Sequence, residues 1–489
     1  MKIKFLPILV CTLIATSLFF SSCLNDNEEE FVYAAESSIT SFSIGTVNIN
    51  RIGKDSLGKD SAYIDTISCA HYPFTIDQLK RTIENKDSLP VGSDVSKVLA
   101  KITADTEGIM YERRDKDGNV KDTAWTAVDS IDFTRPVAFK VFAMNGMMGK
   151  SYIVTVNVHQ QNPDSLEWNH YGTPKFVAGK LYKQKTLVQE QTLYTFGVKA
   201  DGTVVAEYTN IENGRPNGWK EFMTLPEKTN TYSVQLWNED IWFVADGKLY
   251  RINNGPEGIS TEQVGTQTTL RTLIGLGNIT AGEEIMFAYD TNNKVIALNE
   301  NGIPAQPEGY DFIDNLTFVS ERMTSATLTT RHNKSLTRTI VMNNSPETAA
   351  NDSVSCVYGF TTNDAKWGKL NMPATLACPN LENISMIPYD NKLYAFGGGI
   401  ESKHIKPFEH FYCSTDNGFT WEKITKGIVF PQEDSPKHPD IRPFANYYTP
   451  NVEGSYSTTV DKNHFIWLIW EDGSLTKGRL NRLGFAKKW

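Results

Sequence analysis

Apolar and polar residues alternate with the two-residue period of half-buried strands through most of the chain beyond Ser38. "ITSFSI" (39–44) and "AYIDTIS" (62–68) alternate strictly, and "PVAFKVFAMNGMMGKSYIVTVNV" (136–158) reads as two strands about a glycine-containing hairpin. One stretch departs from that period. "SDVSKVLAKITAD" (93–105) sets Val95, Val98 and Leu99 at helical spacing and predicts a short helical turn. Residues 38–158 therefore predict a β-sandwich of a size normal for an Ig-like module.

"HQQNPDSLEW" begins a linker over 159–167, after which the pattern becomes periodic. A Gly or Trp followed by a polar–apolar strand recurs at "WNHYGTPKF" (168), "GWKEFMTLP" (218), "VGTQTTLRTL" (264), "FIDNLTFVS" (312), "KWGKLNMPA" (366) and "TWEKITKGI" (420). Units of about 50 residues, each holding about four short strands, are propeller blades. Residues 168–489 thus predict a β-propeller, six blades by this count with seven also compatible, and the chain as a whole is all-β. The clearest unit reads "ENISMIPYD", "NKLYAFGG", "HFYCS" and "TWEKI" as strands one to four, and "NKLYAFGGG" is kelch-like.

Composition narrows the possible partners. A net charge of −9 without a dense basic patch excludes nucleic acid and an anionic lipid surface as partners. Four cysteines lie in the folded part, Cys69, Cys356, Cys378 and Cys413, and their spacing does not reveal any pairing. With no CxxC or HExxH, the expectation is no metal and no cofactor. "DKDGN" (115–119) begins like a calcium loop, but its glycine falls at the fourth position instead of the sixth, so it reads as a hairpin turn.

The first 23 residues form a targeting segment: Lys2 and Lys4, the apolar run Phe5 to Phe20, then Ser21 and Ser22 before Cys23. The order resembles a bacterial lipoprotein signal, although Phe20 stands where the strict motif prefers Leu. The resemblance implies lipidation of Cys23 and a membrane partner through that anchor. Residues 24–37 form a solvated acidic tether whose "LNDNEEE" resembles the surface-export signal of Bacteroidetes lipoproteins. Outer-membrane, surface-exposed display is therefore expected, with a periplasm-facing anchor as the alternative.

Three blocks, "SSITSFSI", "LPVGSDVSKVLAKIT" (89–103) and "DFTRPVAFKVFAMNGMMGKSYIVTV" (132–156), resemble the Ig-like domains of Bacteroidetes lipoproteins. "STDNGFTW" (414–421) resembles the Asp-box of sialidase-type propellers, with Ser414, Asp416, Gly418, Thr420 and Trp421 at the motif positions. "FTTNDAKW" (360–367) is a decayed copy with Ala365 where the glycine belongs. In that family the box lies on the face opposite the catalytic pocket, so it implies a fold and no chemistry. The arginine-containing start motif of sialidases is absent. As a whole, the chain resembles Bacteroidetes lipoproteins of unassigned activity that carry an Ig-like domain and a kelch/Asp-box propeller.

If the Asp-box turn marks one face, the loops 398–410 and 426–454 share the other. Long loops on a rigid scaffold are where binding usually resides. They offer Glu401, His404, Glu409, His410, Asp440, Arg442, Tyr447 and Tyr448 as ligand contacts. Tyr447 and Tyr448 would supply a flat apolar platform, Arg442 a carboxylate grip, and Asp440 and Glu409 are the local acid–base candidates. The leading expectation is a non-catalytic, lipid-anchored envelope protein whose propeller binds a glycan or protein ligand. A carbohydrate-active hydrolase or lyase using the same face is the alternative, and a structural subunit of an outer-membrane uptake complex is a third.

Overall fold

A computed structural model describes residues 37–484 except 55, 57–58, 116, 256–257, 266–267, 281–283, 293, 306–321, 330–332, 334, 345–353, 365 and 435–439. The signal segment, Cys23, the tether up to residue 36 and the repeat mark at 312 lie outside the described residues. The chain divides into two compact units, one ending at Asn162 and one beginning at Pro163.

In the first unit Ser38–Ile44, Val98–Asp105 and Ser130–Ile131 form one sheet. A second sheet has the order Phe74–Asp77, Thr82–Asn85, Met148–Thr155, Val137–Phe142, Gly108–Arg114, Val120–Ala124. Phe42, Val98 and Ile131 of the first meet Ile83, Phe139 and Val154 of the second in one apolar core. A third small sheet holds Asp60–Ser68, Thr46–Lys54 and Ser93–Asp94.

The helical turn expected within 93–105 does not form. Val98–Asp105 is instead paired on both sides, with Ser38–Ile44 and with Ser130–Ile131. Val98 and Ala100 point into the core while Leu99 is 48% exposed, which is a strand period that the three apolar residues had obscured. Arg114 pairs with Val120 across a hairpin, and Asp115 Oδ1 accepts the N–H groups of Asp117 and Asn119, each at 2.9 Å. "DKDGN" is therefore the turn its spacing suggested. Cys69, Cys356, Cys378 and Cys413 are all buried free thiols.

The second unit is a β-propeller. Its described residues form six successive antiparallel sheets, whose innermost strands are Tyr182–Gln189, Thr229–Trp237, Leu270–Asn278, Thr324–Thr329, Ser385–Tyr389 and Tyr456–Val460. Each inner strand touches the next, and the last touches the first, so the sheets close on themselves. A separate apolar cluster fills each of the six gaps between neighbouring sheets. Sheets covered on both faces lose the apolar–polar alternation. Ile466–Trp470, for example, is buried at every position.

Closure depends on one pairing. The last sheet contains Tyr456–Val460, Ile466–Trp470 and Leu475–Leu480, and its outermost strand comes from the start of the unit, Leu166–Tyr171. The register runs from Leu166 opposite Leu480 to Tyr171 opposite Leu475. Three repeat marks in the sequence coincide with outermost strands, Lys220–Thr224, Gly368–Lys369 and Glu422–Ile424; the mark at 264 instead runs into the innermost strand Leu270–Asn278, and the mark at 168 falls on Leu166–Tyr171, which completes the last sheet.

Deleting residues 475–489 removes the partner of Leu166–Tyr171 and exposes a sheet edge. The expected outcome by calorimetry is loss of the single cooperative transition of the propeller. An unchanged midpoint would contradict closure by this strand.

Candidate functional site

The fifth sheet carries the features that the sequence singled out. Its strands are Ser385–Tyr389, Lys392–Phe396, Phe411–Ser414 and Glu422–Ile424, in that order. Antiparallel strands put alternate connections at opposite ends. The Asp-box turn, between strands three and four, therefore lies at the end away from both the 397–410 connection and the 425–455 crossover.

The box is chemically closed on itself. Ser414 Oγ donates to Asp416 Oδ1 and accepts the Gly418 N–H, both at 2.8 Å. Thr420 donates its N–H to Asp416 Oδ1 (2.8 Å) and its hydroxyl to Oδ2 (2.6 Å). Burial alone would raise the Asp416 pKa, but these donors outweigh it and hold the carboxyl below its ordinary range. Gly418 adopts φ +92°, where a side chain would be strained. Trp421 is buried between the fourth and fifth sheets and donates its indole N–H to the Gly418 carbonyl (3.2 Å). The decayed copy occupies the matching turn of the fourth sheet, with Trp367 fully buried and Asp364 accepting the Thr361 N–H at 2.8 Å.

At the other end the two long connections meet through aromatic rings. Phe408 packs against Phe430, Tyr448, Tyr456 and Trp470 at centroid distances of 5.4, 5.6, 5.0 and 5.3 Å. This overturns one expectation: Tyr448 is not a surface contact. It is 5% exposed, its hydroxyl accepts from Asn383 Nδ2 at 2.8 Å, and burial pushes its pKa far up. The loops needed an apolar anchor, and Tyr448 is part of it.

Tyr447 sits at the edge of the same cluster, its ring 5.4 Å from that of Trp470. Half-buried, it stacks on His170 with centroids 4.3 Å apart. Its hydroxyl donates to the Asp440 carbonyl (3.0 Å) and accepts the Arg442 N–H (3.3 Å). These groups border a cavity of about 530 Å³ lined by His170, Tyr171, Gly172, Thr173, Asp440, Arg442 and Tyr447. Asp440 and Arg442 are exposed at its rim. His170 Nδ1 lies 2.9 Å from Thr476 Oγ1, which also accepts the Trp470 indole N–H at 2.9 Å. Burial, followed by the nearby Lys175 charge, lowers the His170 pKa, so the imidazole is neutral near pH 7.

The sequence reading missed His170 through Thr173, which lie in the closing strand and the turn after it. "NHYGT" had marked only a repeat. The remaining expected residues gather elsewhere. Glu401 and His404 are exposed on a small hairpin closed by the Ile400–Ile405 bridge. Glu409 accepts the Lys406 N–H (3.1 Å) and sits 3.4 Å from His410. None of these four lines the cavity, so among the described residues Asp440 is the one carboxylate in its lining. Among the described residues no group of His, Cys, Asp or Glu is arranged to hold a metal ion, and no helix is long and apolar enough to cross a membrane.

A second cavity, about 250 Å³, occupies the central channel between the inner strands. Lys185 and Arg322 both line it. Arg322 is 8% exposed and lies over the rings of Tyr456 (5.4 Å) and Tyr232 (5.9 Å). Lys185 keeps some contact with the channel interior but is enclosed by protein, and that burial, with the Arg322 charge second, lowers its pKa to about 8.

Taken together, the six ringed sheets define a β-propeller protein with a separate all-β N-terminal unit. The chain belongs to the DUF6242 family: the DUF6242 beta propeller domain matches residues 162–488, and the DUF6242 N-terminal domain, a domain of unknown function, matches residues 42–156. No curated protein matches the sequence.

Solved structures with a similar arrangement include the extracellular domain of the putative hybrid two component system BT3049 from B. thetaiotaomicron. It is 10% identical with a TM-score of 0.34, the match covering 88% of this chain and 56% of that one. An alpha-L-arabinanase from Penicillium chrysogenum, solved with arabinobiose, is 8% identical with a TM-score of 0.36, over 63% of this chain and 95% of that one. AofleA from Arthrobotrys oligospora is 10% identical with a TM-score of 0.35, over 64% and 86%.

The Asp-box turn is held by its own hydrogen bonds, and its indole is buried against the fourth sheet. Trp421→Ala should cost about 3–5 kcal/mol in chemical denaturation, as for other buried aromatic truncations. A variant of unchanged stability would show that the indole is not holding the fourth and fifth sheets together.

Proposed function

We propose that this chain is a non-catalytic, lipid-anchored protein of the bacterial outer membrane, displayed outward, whose propeller binds a glycan at the groove beside Tyr447. The N-terminal unit acts as an Ig-like spacer between anchor and head. The observation that carries the reading is the groove's composition. The stacked His170–Tyr447 pair offers a rigid aromatic edge, while Arg442 and Asp440 supply a polar rim in a cavity of about 530 Å³. Apolar faces with a few fixed polar groups suit saccharide rings. A hydrolase acting here would need a second carboxylate opposite the first, and among the described residues the lining holds Asp440 alone.

Replacing Arg442 and Tyr447 together with alanine should abolish binding on a glycan array and lower the melting temperature only modestly, because Arg442 is exposed and Tyr447 packs at the edge of the aromatic cluster. Tyr448→Ala should lower the melting temperature more, because it opens the centre of that cluster. If a glycan binds and the double variant retains it, the groove is not the site; if only an envelope protein is captured, the ligand class is wrong.

The anchor is tested separately. Cys23→Ala should shift the protein from the membrane to the soluble fraction on cell fractionation, and a variant that stays in the membrane fraction contradicts lipidation.

A further inference from the structure

The second sheet of the N-terminal unit carries two hairpin tips at the end where the chain enters. Thr82–Asn85 runs parallel to Met148–Thr155, so the turns that precede them, 78–81 and 143–147, lie at one end. Gly108–Arg114 runs antiparallel to Val137–Phe142, which puts the 115–119 turn at the other. Ser37 marks the point of entry: its hydroxyl donates to the Val141 carbonyl at 3.2 Å, and a Cβ on Gly149 would fall 2.2 Å from Ser37 Oγ. Ile39 donates its N–H to Tyr152 Oη (3.3 Å), and its carbonyl accepts from Gln78 Nε2 (2.7 Å). The two tips therefore flank the residue from which the preceding chain departs.

Hairpin turns are ordinarily polar, as "DKDGN" is. These two are not. Leu79 is 96% exposed, and Met147 and Met148 are 59% and 71% exposed. The charged groups beside them are engaged locally: Lys80 pairs with Asp77 at 3.7 Å, and Arg81 Nη1 donates to Gln78 Oε1 (3.1 Å) and Tyr152 Oη (2.8 Å). Only residues 24–36 separate Ser37 from Cys23, at most about 50 Å of fully extended chain. With Cys23 lipidated, a tether of that length makes contact between this end and the bilayer effectively intramolecular, so a weak attraction suffices. Leucine and the adaptable thioether of methionine gain by leaving water at a lipid interface. Without a basic cluster, neutral lipid is favoured over anionic lipid.

We propose that Leu79, Met147 and Met148 dock this end of the N-terminal unit on the neutral lipid surface that holds the anchor. The docking rests on the lipidated reading of Cys23 proposed above and gives the unit a fixed orientation at the bilayer.

The test uses residues 24–489 with a hexahistidine tag in place of residues 1–23, held on phosphatidylcholine vesicles by a nickel-chelating lipid. An environment-sensitive thiol probe is introduced by Leu79→Cys, by Met147→Cys or, at the other end of the sheet, by Asp117→Cys; Cys69, Cys356, Cys378 and Cys413 are buried and do not compete. On vesicles the probes at 79 and 147 should shift to the blue and be quenched by nitroxide-labelled lipid, and the probe at 117 should do neither. Adding Met147→Ser and Met148→Ser should remove most of the quenching at 79 without lowering the melting temperature, because both side chains are exposed. Three results would overturn the proposal: the probes at 79 and 147 stay unquenched on vesicle-bound protein, all three probes are quenched alike, or those at 79 and 147 are shielded from iodide before vesicles are added. The last would show that another part of the chain or a second copy covers the tips. The tag replaces the lipid, so this result and the fractionation of Cys23→Ala can fail separately.

Discussion

The pairing of Leu166–Tyr171 with Leu475–Leu480 is the constraint on which the rest of the propeller depends. Without it the ring would expose two sheet faces and a strand edge, and the clusters flanking the last sheet would lose a wall. Those clusters include Trp168 and Trp470 on one side and Trp467 and Trp219 on the other. Trp219 also donates its indole N–H to the Gly473 carbonyl (2.6 Å), tying the first sheet to the last. Every gap between sheets is filled by its own apolar cluster, so the loops at one end are free to form a site.

The same pairing builds the groove. His170 lies in the closing strand, and its Nδ1 reaches Thr476, 306 positions away, on the neighbouring strand. The crossover from the fifth to the sixth sheet then brings Tyr447 over the imidazole. Phe444 and Tyr448, on either side of Tyr447 in sequence, are buried and anchor that crossover. A short stretch of chain therefore alternates between holding the scaffold and presenting a surface.

Local chemistry was legible from the residues. All four strands of the fifth sheet were recognisable because their turns carry asparagine, aspartate and glycine at positions that require them: Asp390 and Asn391 have φ of 48° and 58°, and Gly418 has φ 92°. The Asp-box was equally readable, since each of its hydrogen bonds spans at most four residues. The stretch 93–105 misled because adjacent Val98 and Leu99 suit either period, and only pairing on both sides made it a strand.

The sequence by itself thus determined what depends on neighbours in the chain: an all-β protein, a strand-and-turn repeat, and a turn that satisfies its own polar groups. Tertiary structure decided what depends on which strands become neighbours. Tyr448 went into the core and Tyr447 to its edge, His170 joined residues some 270 positions distant, and Lys185 came to line the same channel as Arg322. Burial and charge proximity are properties of the closed ring, and no spacing within a strand encodes them.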